Sequence, residues 1–287
     1  MSPMSEPGSE RQVWFITGTS RGMGLEFANA ALDAGHAVVA TGRDTDAVAE
    51  AVDESEDRLV AELDITEPAD AESATEAAVD RFGRIDVLVN NAGISYKGFF
   101  EEMEMAEIRN QLEVNLFGQM HVTHAVLPVM REQGSGHVVS ISSGAGLSGF
   151  AFSSAYAASK FGLEGWMDAL ADELEPFGID TTVVNPGFFR TTLTDERSMP
   201  FTDPAIDDYD ERRAEQMEWW NEQDGQQPND PARLAEALVE IAGEEDPPRR
   251  FIAGEDAIEL AEEKVAELRA QIDAYPELST SMAFDDE

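Results

Sequence analysis

The sequence predicts a single α/β domain with a parallel sheet covered by helices on both faces. Three observations lead there. Short β-rich runs alternate with longer helical patterns along the chain, which is the signature of repeated strand–helix–strand units. A glycine-rich turn joins the first strand run to the first helical run. The chain has 287 residues and 42% hydrophobic content, enough for one large domain with a substantial core.

The elements follow in order. Val13 to Thr17 reads as a buried strand, and Gly22 to Ala34 as the helix after it. Ala37 to Thr41 is a second strand, introduced by the turn residue Gly35. Leu59 to Leu63 is a third and Val87 to Asn90 a fourth. His137 to Ile141 and Thr181 to Val184 are a fifth and sixth. Helices fit between them at Pro68 to Phe82, Met105 to Arg131 and Ala155 to Phe177. The stretch from 188 to 228 is largely polar, with Pro200, Pro204 and the pair Trp219 and Trp220. It reads as an irregular insertion holding one or two short helices, placed as a lid over a substrate. Pro231 opens a helix to about Ala242, since proline suits a first helical turn. Arg250 to Ile252 is a candidate seventh strand. Residues 13–254 thus form the domain, 1–12 a flexible N-terminus, and 255–287 a C-terminal helix with a loose tail.

The charge is the outlier. Asp and Glu total 59 against 19 Lys and Arg, a formal net charge of −40. The acids are spread along the chain, and the only lysines are Lys97, Lys160 and Lys264. Such a surface fits a salt-rich cytoplasm, where screening tolerates self-repulsion. It argues against nucleic acid as a partner, because phosphate would be repelled. With no Cys, disulfides, thiolate catalysis and Cys-based metal sites are excluded. Residues 1–12 lack the basic start and apolar stretch of a secretion signal, and no apolar run approaches the roughly 20 residues that span a bilayer. The expectation is a soluble cytoplasmic protein without membrane contact.

The turn after the first strand reads Thr17-Gly18-Thr19-Ser20-Arg21-Gly22-Met23-Gly24. Glycines there let the backbone approach a pyrophosphate, and the helix N-terminus supplies N–H donors and a positive dipole end. Tyr156 and Lys160 are four residues apart in a helical pattern, so they share a face. A free tyrosine, with a pKa of about 10, is a poor base at neutral pH. A neighbouring ammonium favours its phenolate.

These segments carry a resemblance. The T-G-x3-G-x-G turn, Asn90-Asn91-Ala92-Gly93 after the fourth strand, Tyr156-Ala157-Ala158-Ser159-Lys160 and Pro186-Gly187-Phe188-Phe189-Arg190-Thr191 after the sixth resemble, in order, the motifs of the short-chain dehydrogenase/reductase family. The match runs over about residues 13–192. It implies a Rossmann-type domain with seven parallel strands in the order 3-2-1-4-5-6-7. It also implies hydride exchange between a nicotinamide cofactor and a carbonyl or secondary alcohol.

Charge near the end of the second strand bears on cofactor choice. The 2′-phosphate of NADP needs cations, whereas NAD sites use an acid at the end of the second strand. That strand ends Ala40-Thr41-Gly42-Arg43, with Gly42 where NAD-specific members usually carry Asp. Arg43 and Arg21 are placed to make charge-assisted contacts with a phosphate, which favours NADP(H) over NAD(H). Asp44 and Asp46 stand nearby and oppose that preference if they face the site. The resemblance assigns Asp64 and Ile65 to the adenine. It assigns Gly18, Thr19, Ser20, Arg21, Gly22, Met23, Gly24, Asn91, Ala92, Gly93, Pro186, Gly187, Phe189 and Thr191, together with Tyr156 and Lys160, to the rest of the cofactor.

The implied catalytic set is Asn115, Ser143, Tyr156 and Lys160. Tyr156 exchanges the proton of the substrate oxygen. Ser143, 13 residues upstream and preferred to its neighbour Ser142 on that spacing, hydrogen-bonds the same oxygen. Lys160 holds the nicotinamide ribose, and Asn115 helps hold a water that relays the proton. His36, His121, His124 and His137 show no spacing that demands a metal, and none is expected. Trp219 and Trp220 either line the lid or anchor the insertion. The substrate is a small carbonyl or alcohol compound whose identity is not legible. A steroid- or retinoid-like hydroxyl and a non-catalytic NADP(H) sensor are the alternatives. Relatives are commonly dimers or tetramers, so a homo-oligomer is expected.

Overall fold

The computed structural model describes residues 11–191, 199–203 and 206–284. Its elements in chain order are β1 (Val13–Thr17), α1 (Gly22–Asp33), β2 (Ala37–Gly42), α2 (Thr45–Ala51), β3 (Arg58–Glu62), α3 (Pro68–Phe82) and β4 (Val87–Asn90). Then come α4 (Met105–Leu112), α5 (Gly118–Gln133), β5 (Gly136–Ile141), α6 (Ser154–Leu174) and β6 (Ile179–Pro186). The chain continues with α7 (Asp210–Gln223), α8 (Pro231–Ala242), β7 (Arg250–Ala253), α9 (Glu255–Ala274) and α10 (Pro276–Thr280).

The seven strands form one parallel sheet in the order β3-β2-β1-β4-β5-β6-β7. In register, Phe15 faces Val39 on one side and Leu88 on the other. Successive β1 residues feed opposite cores. Phe15 joins Leu88, Val138 and Val183 on one face. Trp14 and Ile16 join Val38, Val139 and Val184 on the other, where Phe27 of α1 and Leu238 of α8 cover them. A sheet buried on both faces needs continuous apolar strands, and that is why these runs stood out in the sequence.

The departures have physical reasons. The predicted helix from Met105 to Arg131 is broken by a π-type turn over Glu113–Phe117. Asn115 sits in it with its side chain buried. Such a turn is a single i→i+5 insertion inside an otherwise helical stretch, too local to be separated from the helical pattern around it. Helix α2 is seven residues capped by Asp44, whose carboxylate accepts from Ala47 N at 3.0 Å; it is too short to show a period. Of the segment 1–12, Arg11 and Gln12 are described and both have partners. Arg11 pairs with Asp57, and Gln12 Nε2 donates to Ala242 O at 2.8 Å. Residues 1–10 lie outside the described residues. In the C-terminal segment, Pro276–Thr280 is helical and exposed. Among the described residues no helix is long and apolar enough to cross a membrane.

Candidate active site

The C-terminal ends of β1, β4, β5 and β6 gather the predicted residues. β1 and β4 are neighbours where the strand order reverses, and a parallel sheet opens a crevice at such a point. The glycine turn is built there by backbone constraint. Gly18 and Gly22 adopt φ +73 and +59, a region costly for residues with a Cβ. A Cβ on Gly24 would come within 2.2 Å of Gly18 O. Thr19 is buried, and its N and Oγ1 both donate to Thr41 O, at 3.0 and 3.2 Å. Ser20 lies in the bend before α1. Arg21 caps α1 in extended conformation, and Met23 packs on the core under that helix.

The Asn91-Ala92-Gly93 segment lies against this turn. Thr17 Oγ1 accepts from Asn91 N and Ala92 N at 2.9 and 3.0 Å. Asn91 Nδ2 donates back to Thr17 O and Gly18 O at 2.9 and 3.2 Å. Gly93 approaches Asn115, whose Oδ1 would be 3.2 Å from a Cβ there. Thr191 meets the turn from the other side, 3.9 Å from the Cβ position of Gly22. The tight glycine cradle at the start of α1 fits a bound pyrophosphate.

At the sheet's edge, Leu63 N donates to Gly42 O at 3.0 Å, so exposed Arg43 and the Asp64-Ile65 pair leave adjacent strands. Asp64 Oδ1 accepts from Thr66 N and Oγ1 at 3.0 and 2.7 Å. Ile65 is buried and packs against Gly118. Pro186 ends β6. Gly187 N donates to Ala253 O at 2.9 Å. Phe189 is buried, with its side chain in the core beside Leu234 and Leu238.

Ser143, Tyr156 and Lys160 converge beyond β5. Ser143 lies close enough to the Tyr156 hydroxyl to lower its pKa, and Ser143 Oγ accepts from Ala145 N at 3.1 Å. Lys160 Nζ lies 5.7 Å from the Tyr156 ring centroid and donates to Ile141 O at 2.7 Å. Burial pushes the Tyr156 phenol above its ordinary value, while the Ser143 side chain pulls it down. Burial lowers the Lys160 ammonium to about 8, against the raising influence of Glu164. Asn115 grips the chain after β4. Its Oδ1 accepts from Ile94 N at 2.9 Å, and its Nδ2 donates to Ile94 O and Ser159 Oγ at 2.9 and 3.2 Å.

The family model for short chain dehydrogenases matches residues 12–200. The chain belongs to that family. A relative along nearly the whole length is oxidoreductase BOA17 of Botryotinia fuckeliana, 34% identical over 95% of this chain and 99% of that protein. A short-chain dehydrogenase structure from Streptomyces avermitilis is 37% identical, with TM-score 0.85 over 96% of this chain and all of that one. Two further family structures hold nicotinamide cofactors. One, from Burkholderia phymatum with NAD, is 22% identical at TM-score 0.81, covering 93% of this chain and 97% of its own. The other is gluconate 5-dehydrogenase from Burkholderia cenocepacia with NADP and tartrate. It is 28% identical at TM-score 0.60, covering 65% and 74%. The chain is therefore an oxidoreductase of the short-chain dehydrogenase family, with a fold that binds a nicotinamide cofactor.

Several residues that shape this dehydrogenase site were not found from sequence. Gln111, buried one turn before Asn115, accepts from Tyr96 N and donates to Ile94 O, both at 2.8 Å. Glu164, one turn past Lys160, accepts from Asn185 Nδ2 at 2.6 Å and pairs with Arg250 at 2.8 Å. Asp256 accepts from Phe188 N at 2.6 Å and Asn229 Nδ2 at 2.8 Å. Lys97 is buried, with its Nζ 5.3 Å from the Tyr156 ring. Only Lys97 left a signal, as one of three lysines.

Proposed function

We propose that this chain is an NADP(H)-dependent reductase of carbonyl compounds, and the dehydrogenase of the matching secondary alcohols, with Tyr156 as proton donor and acceptor. The observation that carries this reading is the convergence of Ser143 and the Lys160 ammonium on Tyr156, with Lys160 Nζ 5.7 Å from its ring centroid. The nicotinamide, when bound, supplies or accepts the hydride. The chain's own residues do the rest. Ser143 and Tyr156 orient the substrate oxygen with two hydrogen bonds. In reduction the Tyr156 hydroxyl gives its proton to that oxygen, and in oxidation the phenolate takes it back. Lys160 favours the phenolate by charge, and in the relay reading a water near Asn115 restores the proton.

The NADP(H) preference is supported by three features. Arg21 stands at the start of α1 and Arg43 just past β2. A Cβ on Gly42 would come within 2.8 Å of Val48 Cγ2, which opposes the acid that NAD binding favours. Asp44 is engaged as the cap of α2. Phe188, Trp219 and Trp220 cluster, with ring centroids 4.9–6.0 Å apart, which supports the stretch 188–228 as a substrate lid. We further read the acidic surface as adaptation to a salt-rich cytoplasm, and the working form as a homodimer or homotetramer.

The test is a panel of aldehydes, ketones and alcohols assayed with NADP(H) and NAD(H) in molar KCl. NADPH should support turnover with kcat/KM at least about tenfold above NADH, the worth of one charge-assisted contact. Equal use of both, or an NADH preference, contradicts the cofactor assignment.

A further inference from the structure

Lys97 has no part in the proton transfer described above, yet it sits beside it. Its backbone is fastened on two sides. Lys97 N donates to Pro200 O at 2.9 Å, and Thr202 N donates to Lys97 O at 2.8 Å. The next residue, Gly98, donates its N to Phe152 O at 3.1 Å. The side chain is 3% exposed. Its Nζ donates to Ser153 Oγ at 2.9 Å and lies 4.0 Å from the Trp220 ring centroid and 5.3 Å from that of Tyr156.

Among the described residues no carboxylate pairs with this ammonium, in a chain carrying 59 acids. That is the reverse of a structural lysine, which is buried only when paired. An ammonium has three donors, and one hydroxyl satisfies only one of them. Aromatic faces are weak compensation. Burial accordingly drags this lysine down to about 7. The neighbouring backbone is strained as well. Phe152, just before Ser153, is the only non-glycine with positive φ among the described residues, at +65. Such strain persists where the surroundings over-determine a functional arrangement.

We propose that Lys97, with Ser153, is an anion receptor in the substrate pocket, and that the substrate class is oxo acids and their hydroxy-acid counterparts, with the carboxylate a few carbons from the reacting carbon. This rests on Tyr156 being the residue that faces the substrate oxygen. Lys97 and Lys160 lie at comparable distances from the Tyr156 ring, 5.3 and 5.7 Å. One ammonium serves the proton donor, and the other receives the substrate's charge. An arriving carboxylate supplies the missing acceptors and restores the charged lysine. Trp220, stacked over Nζ, closes the receptor from the α7 side.

The test compares 2-oxopentanoate and 4-oxopentanoate with their amides, using wild type and Lys97→Met at fixed KCl. For at least one acid, wild type should exceed the amide by about ten- to hundredfold in kcat/KM, the range of a hydrogen bond to a charged group. K97M should lose that preference, its kcat/KM on the acid falling by about ten- to hundredfold more than on the amide. An equal loss on acid and amide would instead assign Lys97 to the electrostatics of Tyr156 and overturn the proposal. Binding of pentanoate and pentanamide, which carry no reducible ketone, is measured by calorimetry on the NADP+-loaded protein. Wild type should bind the acid in preference and K97M should not. This reading survives even if no carbonyl is turned over, so failure of the Tyr156 chemistry and failure of the receptor are distinguishable. No acid preference in wild type, in turnover or in binding, overturns the proposal. Lys97→Gln is the second variant if K97M does not fold.

Discussion

Single residues set the chemistry of this site through burial. Tyr156 is held neutral by desolvation and nudged back by Ser143, so the phenol suits proton donation and the phenolate needs a nearby cation. Lys97 makes a sharper statement. Its folded value, about 7 against 10.5 when exposed, means that the unfolded chain binds more protons between those values. Stability therefore rises with pH across that window, and the cost of the buried charge is complete below pH 7. Lys97→Met should stabilise the protein relative to wild type at pH 6 by roughly 1–3 kcal/mol more than at pH 10. Urea midpoints at the two pH values measure this. An equal effect at both would show that the lysine is not desolvated.

Elements place those residues, and here the reach of the sequence is clear. The strands were legible because both sheet faces are buried, which leaves Trp14 to Ile16 and Val87 to Val89 no polar alternation. Tyr156, Lys160 and the glycine turn were legible because their spacing is local. Asn115 was found from the family motif, but not the π-type turn that aims it. Gln111, Glu164 and Asp256 act through partners distant in sequence, and no local pattern announces such a pairing. The insertion is another case. Helix α7 is tied down by Arg213, which pairs with buried Glu102 and with Asp210, and neither pairing is visible before folding. Gln111 offers the element-scale test. Gln111→Leu strands Tyr96 N, a donor for which the side chain was built, and should cost about 1–3 kcal/mol. The same change should loosen the segment that carries Lys97, raising KM more than it lowers kcat. Unchanged stability would show that the Ile94–Tyr96 loop is held by Asn115 alone.

At the scale of the whole molecule the field is hostile to the cofactor. A net charge of −40 repels a phosphorylated dinucleotide at long range, while arginines at Arg21 and Arg43 would act at contact. Salt screens beyond a Debye length of about 3 Å at 1 M, against about 10 Å at 0.1 M, so it weakens the long-range term more than the close pairs. NADPH affinity should hold or improve from 0.1 M to molar KCl, followed by fluorescence titration. A steady decline with the protein folded throughout would remove the argument. The claim on which the rest depends is narrower: Tyr156 exchanges the proton. The direct measurement is single-turnover oxidation of bound NADPH by a competent ketone, in wild type and Tyr156→Phe. Tyr156→Phe should lose about 10²–10⁴ in rate, with NADPH binding and melting temperature unchanged. A phenylalanine variant that turns over at the wild-type rate would contradict it.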